Sequence, residues 1–155
     1  MRSNKQRLGL AVVIASLIVV WSAPRVSAQR PAPVTVIRLY TGSDGQSHAE
    51  QIEVKLLPSE VPDGSSQLSI GATKITFFRC PPGWVNEWHN VGGLGGRQYV
   101  MTLSGRGEVE LPDGTKIQLT PGKILLGEDL TGRGHITRTV GAEDWISVHI
   151  HLTSQ

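Results

Sequence analysis

Residues 98–119 have the sequence QYVMTLSGRGEVELPDGTKIQL, which predicts three short β-strands at 98–103, 107–111 and 115–119. Apolar residues recur at every second position, as they do in a half-buried strand. Between the last two strands, Pro112 presets its backbone angle and Gly114 can adopt a left-handed conformation, so the chain can reverse tightly there. Strands of this length that are joined by turns at near-regular spacing favour a sandwich or a barrel.

The same pattern continues on both sides of this stretch. Further strands are predicted at 34–40, 51–57, 67–70, 74–80, 123–126, 134–140 and 145–152. We find no amphipathic helical period after the first 28 residues and no internal repeat. The sequence therefore predicts a single all-β domain at 34–155, preceded by a loose, Pro-containing leader at 29–33.

The first 28 residues have the three parts of a cleavable signal peptide. A basic start precedes an uncharged, mostly apolar run at 8–21, and Ala28 is the predicted cleavage position. The alternative is a membrane anchor, but a spanning helix needs about 20 apolar residues and this run is shorter. We therefore expect a periplasmic or secreted protein, with no membrane insertion after cleavage.

The charge of the exported part differs from that of the whole chain. Four of the fifteen basic residues lie in the signal, so eleven remain against thirteen acidic residues, a net charge of −2. A basic surface for nucleic acid is therefore not expected. Cys80 is the one cysteine, which excludes an internal disulfide and favours a small buried apolar residue over a nucleophile.

Two stretches resemble the paired motifs of the cupin superfamily, at 83–105 and at 122–135. More closely, the chain resembles a group of short single-domain (type-2-like) cupins. That group has a Trp-His pair, an Arg-Gln pair and an acidic-Asp-Thr-Thr-Gly-x-Gly-His segment, which are matched here at 88–89, 97–98 and 128–135, with Leu130 replacing a Thr. The resemblance covers about residues 75–152. It implies a double-stranded β-helix, or jelly-roll barrel, which usually holds one metal ion.

Carried over residue by residue, the metal ligands of the family are matched only in part. His89 and His135 fit two ligand positions, Val91 stands where another His would be, and Gln98 replaces the Glu ligand. Glu87 lies two residues before His89 and would share its strand face, so it could restore the missing charge. These four polar residues are candidate ligands for iron, zinc or manganese. The alternative is a metal-free polar pocket in which His89 and Gln98 hydrogen-bond to each other.

Other residues near the motifs are candidates for substrate contact and proton transfer. Glu128 and Asp129 are adjacent carboxylates, so at most one enters the pocket, where a raised pKa would suit a general acid or base. A solvated turn is the alternative for both. The substrate-binding candidates are His48, Trp88, Arg97 and Thr131. Trp84 and Trp88 fit either an apolar ligand wall or simple core filling.

The alternation of side chains along two strands predicts which faces are covered. If Gln98 points into the barrel, then Tyr99, Met101 and Leu103 point outward, and such an apolar face is seldom left in water. Either the N-terminal strands or a second subunit must cover it, and we expect a homodimer. On the last strand, His149 and His151 are expected to face outward, because the alternate apolar residues there favour the core. The opposite parity would bring both histidines into the site.

The glycine-rich residues 92–96 are expected to form a hairpin tip, with a loop that opens over the site as the alternative.

Taken together, the sequence predicts an exported cupin-like domain that binds a small organic molecule in its barrel. It could act as a metal-dependent oxygenase, isomerase or lyase. The alternative is a non-catalytic binding module without a tightly held metal.

Overall fold

Two facing β-sheets build the part of the chain that the computed structural model describes, residues 32–59 and 64–153. The predicted signal peptide at 1–28 and all but the end of the leader at 29–33 lie outside the described residues. The strands are β1 (Thr35–Thr41), β2 (Ser47–Glu53), β3 (Leu57–Pro58), β4 (Ser66–Gln67), β5 (Ala72–Cys80), β6 (Val85–His89), β7 (Gln98–Ser104), β8 (Gly107–Glu110), β9 (Lys116–Leu119), β10 (Ile124–Glu128), β11 (His135–Thr139) and β12 (Trp145–Leu152).

One sheet has six strands in the order β2-β1-β10-β7-β12-β5, and the other has four in the order β6-β11-β8-β9. Strands β3 and β4 form a separate short ladder. All pairs are antiparallel except β1 with β10. The main core cluster draws Leu39, Val100, Leu125 and Trp145 from the six-stranded sheet and Val109 from the four-stranded one, so the two sheets pack face to face. The predicted all-β double-stranded β-helix is confirmed.

A second apolar cluster lies on the outer face of the six-stranded sheet. Val36, Leu126 and Leu152 are buried there, and Tyr99 and Ile150 pack against them. This outer face is only partly covered, because three of its side chains remain exposed. They are Ile75 (59% exposed) and Phe77 (71%) on the edge strand β5, and Leu103 (51%) on β7. The predicted inward positions of Gln98, Val100 and Thr102 agree with their burial.

The predicted turns and most strands are found, with local differences. Gly114 has a φ of 84° and donates its N–H to Leu111 O at 2.9 Å, as the Pro-Asp-Gly turn requires. β2 begins at Ser47, earlier than the predicted strand at 51–57, and β6 was not among the predicted strands. The described residues contain no helix long and apolar enough to cross a membrane.

Candidate functional site

A cavity of about 180 Å³ lies between the two sheets. Its lining is mostly apolar and includes the aromatic side chains of Phe78, Trp84 and Trp145. The main polar groups of the lining are four histidines with Gln98. Small-molecule sites typically combine an apolar wall with a few converging polar groups in this way.

His89 and His135 lie side by side across the β6–β11 ladder. Their ring centroids are 4.4 Å apart, and both residues line the cavity. Gly134 permits this closeness, since a Cβ atom on it would lie 1.9 Å from His89 O and its φ is 78°. The glycine before the second histidine is therefore required by the packing of the site.

Hydrogen bonds fix the tautomer of both rings. His89 Nδ1 donates to Glu87 O at 2.7 Å, since a carbonyl oxygen can only accept. His135 Nδ1 lies 2.7 Å from the carboxylate Oδ2 of Asp129. Nδ1 of each ring is thus engaged, so a ligand would meet Nε2. Burial, reinforced by the neighbouring His135, lowers the pKa of His89, so this ring is neutral at pH 7.

Asp129 orients His135 from behind the cavity wall. Its side chain is fully buried, and Oδ2 also accepts a hydrogen bond from Ser47 Oγ at 2.8 Å. Asp129 is not part of the lining itself. Its geometry is that of a residue that positions a histidine rather than one that touches a ligand. Ser47 carried no recognisable sequence signal, because its partner is distant in the chain.

Glu128 points away from the cavity, which corrects its expected role there. Gly127, one position earlier on β10, faces inward, so Glu128 faces outward. Its carboxylate is held by the guanidinium groups of Arg38, with Nε at 2.5 Å from Oε2, and of Arg97, with Nε at 2.7 Å from Oε1. Although burial opposes it, hydrogen bonds from these two arginines lower the pKa of Glu128. Arg97 therefore also lies outside the cavity lining, where it forms an ion pair with Glu128.

A β-bulge changes the expected orientation of Glu87. Two steps along β11, from His135 to Thr137, correspond to three steps along β6, from His89 to Asn86. Asn86 therefore shares the cavity face with His89, while Glu87 is exposed. The simple alternation that placed Glu87 beside His89 is wrong at this point.

The three remaining substrate-binding candidates also lie outside the cavity lining. Trp88 stacks on Arg133, whose Cζ is 3.8 Å from the ring centroid. His48 is partly exposed, and its Nε2 lies 3.0 Å from Asp44 Oδ1. The backbone oxygen of Thr131 accepts from Thr41 Oγ1 at 3.0 Å.

The two histidines of β12 face inward, so their predicted outward orientation is wrong. His151 pairs with Gln98, and His149 pairs with Val100, in the ladder between β12 and β7. Since Gln98 and Val100 point inward, their partners do so as well. His149 Nδ1 lies 3.4 Å from Gln98 Oε1. Burial and the neighbouring His151 lower the pKa of His149 to about 4, so this ring is neutral at pH 7.

The glycine-rich segment is an ordered turn rather than a hairpin tip. Val91–Leu94 forms one turn of 3₁₀ helix, capped by Asn90, whose side chain accepts from the Gly93 N–H at 3.3 Å. Val91 and Leu94 line the cavity, so this turn closes part of it. Gly95 ends the turn in a left-handed conformation.

A divalent metal ion finds an incomplete donor set in this cavity. The two Nε2 atoms and the amide oxygen of Gln98 suit such an ion chemically. However, the described residues contain no group of three His, Cys, Asp or Glu side chains close enough to hold one. No Asp or Glu from these residues lines the cavity, so the anionic ligand that favours a divalent ion is missing there. The residues present therefore do not fit a tightly held metal.

Comparison with known proteins gives matches only among solved structures. No protein-family model matches the chain. A search of curated proteins gives no match either.

Three solved structures illustrate the similarity. The first is a cupin domain from Bordetella pertussis, with 24% identity over 57% of this chain and 88% of that one, at a TM-score of 0.43. The second is a cupin-like protein from Thermotoga maritima, with 17% identity over 72% of this chain and 75% of that one, at a TM-score of 0.44. The third is the Cnp3 cupin domain of Schizosaccharomyces pombe, with 13% identity over 81% of this chain and 86% of that one, at a TM-score of 0.45. All three structures are described as cupin or cupin-like proteins.

Proposed function

We propose that the chain binds a small organic molecule inside its barrel. The ligand lies against the indoles of Trp84 and Trp145 and hydrogen-bonds to the paired histidines, His89 and His135. The observation that carries this proposal is the cavity itself, in which an apolar wall meets two imidazoles whose orientation is fixed by hydrogen bonds. Such a site offers both desolvation and directional hydrogen bonding to a ligand of one aromatic ring or similar size.

A cavity-filling variant tests this proposal. Thr76 is half-buried on the edge strand β5 and lines the cavity, so Thr76→Trp should fill it with little damage to the core. Ile75→Trp places the same ring on the opposite, exposed face of β5 and is the matched control. Binding of benzyl alcohol and of benzoate is measured by saturation-transfer NMR. We expect binding to the wild type and to Ile75→Trp but not to Thr76→Trp; equal binding to all three contradicts the proposal.

A metal-dependent enzyme is the second candidate. The observation that favours it is that Nδ1 of both His89 and His135 is engaged in a hydrogen bond, which leaves Nε2 of each ring as the nitrogen to bind a metal. Iron, zinc or manganese would then be held by these rings and Gln98. The metal content of protein purified without an affinity tag tests this candidate. About one equivalent of metal, lost in His135→Ala, favours it, and none in the wild type leaves the non-catalytic binding module.

We also propose that a second copy of the chain pairs with the free edge of β5. This strand is the open edge of the six-stranded sheet and exposes Ile75 and Phe77 on its outer face. An edge strand can pair antiparallel with its own copy, and pairing centred on Thr76 sets Ile75 of one copy opposite Phe77 of the other. Light scattering should give a dimer for the wild type and a monomer for Phe77→Lys, with Val34→Lys as the control. A monomeric wild type would exclude this pairing.

Export completes the proposal. Cleavage after Ala28 predicts a mature chain that begins at Gln29 and is found in the periplasm or outside the cell. Intact-mass measurement of the protein from each cell fraction tests this, and an uncleaved cytoplasmic chain contradicts it.

A further inference from the structure

Polar side chains form a second wall of the cavity, away from the His89–His135 pair. Ser147, His149 and His151 alternate along the inner face of β12, and all three line the cavity. In the ladder between β12 and β5, His149 lies opposite Thr76, and His151 lies opposite Lys74. Thr76 and Lys74 line the cavity as well. We call these five residues the β5–β12 wall.

Two buried polar atoms in this wall have no hydrogen-bond partner among the described residues. They are Ser147 Oγ and His151 Nδ1, in side chains of residues that are 0% and 5% exposed. Only one other buried side-chain atom of the described residues, Asp129 Oδ1, shares this state. Leaving such groups unpaired is costly, and nearly all buried polar atoms in folded proteins are satisfied. Two of them on one cavity wall indicate a place where a bound molecule supplies the missing partners.

The charges around the cavity indicate the sign of that molecule. Lys74 is exposed to solvent and lines the cavity, so it brings a positive charge to the cavity opening. Among the described residues, no aspartate or glutamate lines the cavity. A cationic ligand would therefore find no counter-charge in the lining, whereas an anionic one would find an ammonium group.

We infer that the β5–β12 wall is the subsite for the carboxylate of a small organic acid. Lys74 supplies the opposite charge, and the hydroxyls of Thr76 and Ser147 with the ring of His151 supply hydrogen bonds. The apolar body of the acid then lies toward the indoles of Trp84 and Trp145, at the end of the cavity where β12 begins. A carboxylate fits better than a phosphate monoester, because one lysine and no arginine lines this wall, and phosphate sites generally use several cationic donors.

This inference rests on the proposed function and adds the class of ligand. Benzoate, benzyl alcohol and benzylamine share a ring and differ in the charge of the attached group, so they serve as matched probes. Their dissociation constants are measured by isothermal titration calorimetry with the mature chain. We expect benzoate to bind tightest and benzylamine to bind weakest.

Three variants locate the carboxylate. Lys74→Gln should weaken benzoate by about three- to tenfold, the range for a partly exposed charge pair, and Lys74→Glu should weaken it further. Ser147→Ala should weaken benzoate while raising the thermal stability of the ligand-free protein, because it removes an unpaired buried hydroxyl. None of these changes should alter the affinity for benzyl alcohol. Lys123→Gln, an exposed lysine outside the cavity lining, is the control.

The outcomes separate this inference from the function on which it rests. If benzyl alcohol binds the wild type as tightly as benzoate does, or if Lys74→Gln and Ser147→Ala leave benzoate unchanged, the carboxylate subsite is wrong and the cavity remains a binding site. If no probe binds the wild type, the proposed function is wrong as well.

Discussion

Acid should destabilise this protein through His149. The pKa of His149 is lowered to about 4 in the folded chain, first by burial and then by the neighbouring His151. In the unfolded chain the pKa of a histidine is about 6.5. Between these two values the unfolded chain binds more protons than the folded one, so stability is present above about pH 6.5 and is lost as the pH falls toward 4.

The size of this effect follows from the two pKa values. Protonation of the unfolded chain at about pH 5 favours unfolding by about 2 kcal/mol relative to pH 7 for this residue alone. Since the ring retains some contact with solvent, about 1–2 kcal/mol is the expected loss. For a domain of this length, that corresponds to a fall in Tm of about 3–8 °C.

The assay compares wild type with His149→Gln by calorimetry or by urea unfolding at several pH values. Gln has no titrating group, so its variant should lose stability less steeply from pH 7 to about pH 5, whatever its stability at neutral pH. His89 has a lowered pKa of the same sign, so part of the slope should remain in the variant. If the two proteins have the same slope, His149 is not held neutral by its surroundings and the reasoning is refuted.

Three further changes test other parts of the site. Asp129→Ala removes the acceptor of Ser47 Oγ and His135 Nδ1 and should cost about 3–5 kcal/mol in urea unfolding, because two buried donors lose their partner; a cost below about 1 kcal/mol would contradict this role. Gly134→Ala brings a Cβ into backbone of β6 at a φ of 78° and should lower stability by about 3 kcal/mol or more, and an unchanged Tm would show that the strands can separate there. Gln98→Glu should strengthen zinc binding in calorimetry by about tenfold or more, since it adds an anionic ligand beside the histidine pair; an unchanged affinity would exclude Gln98 as a ligand.

The fold was predictable because it depends on local signals. The Pro-Asp-Gly turn at 112–114 and the alternation along 98–103 are read from neighbouring residues, and both agree with the structure. The start of β2 was harder to place. Ser47 and His48 lack the β-branched pattern of a strand, and they extend only because they pair with β1. Strand pairing of this kind depends on residues far apart in the chain.

The sequence predicted the site residues correctly only where their placement does not depend on strand irregularities or on which face of a strand is turned to the cavity. His89, His135 and Gln98 line the cavity as expected. The alternation rule placed Glu87 wrongly, because a bulge adds one residue to β6. On β12 the apolar residues were expected to face the main core. However, the six-stranded sheet has apolar clusters on both faces, so Ile150 packs on the outer one. A sequence does not reveal which of two covered faces a strand presents to the cavity.

The placement of the two adjacent carboxylates decides between the candidate functions. Glu128 pairs with arginines on the outer face, and Asp129 is buried behind His135, so neither carboxylate lines the cavity. For a divalent ion this is unfavourable, because imidazoles and an amide must hold it without an anionic ligand. For an organic acid the same arrangement is favourable, because no carboxylate of the described lining repels its own and Lys74 attracts it. The lack of a carboxylate in the described part of the lining thus disfavours a tightly bound metal and favours an anionic ligand. A Gln98→Glu variant should reverse both preferences together.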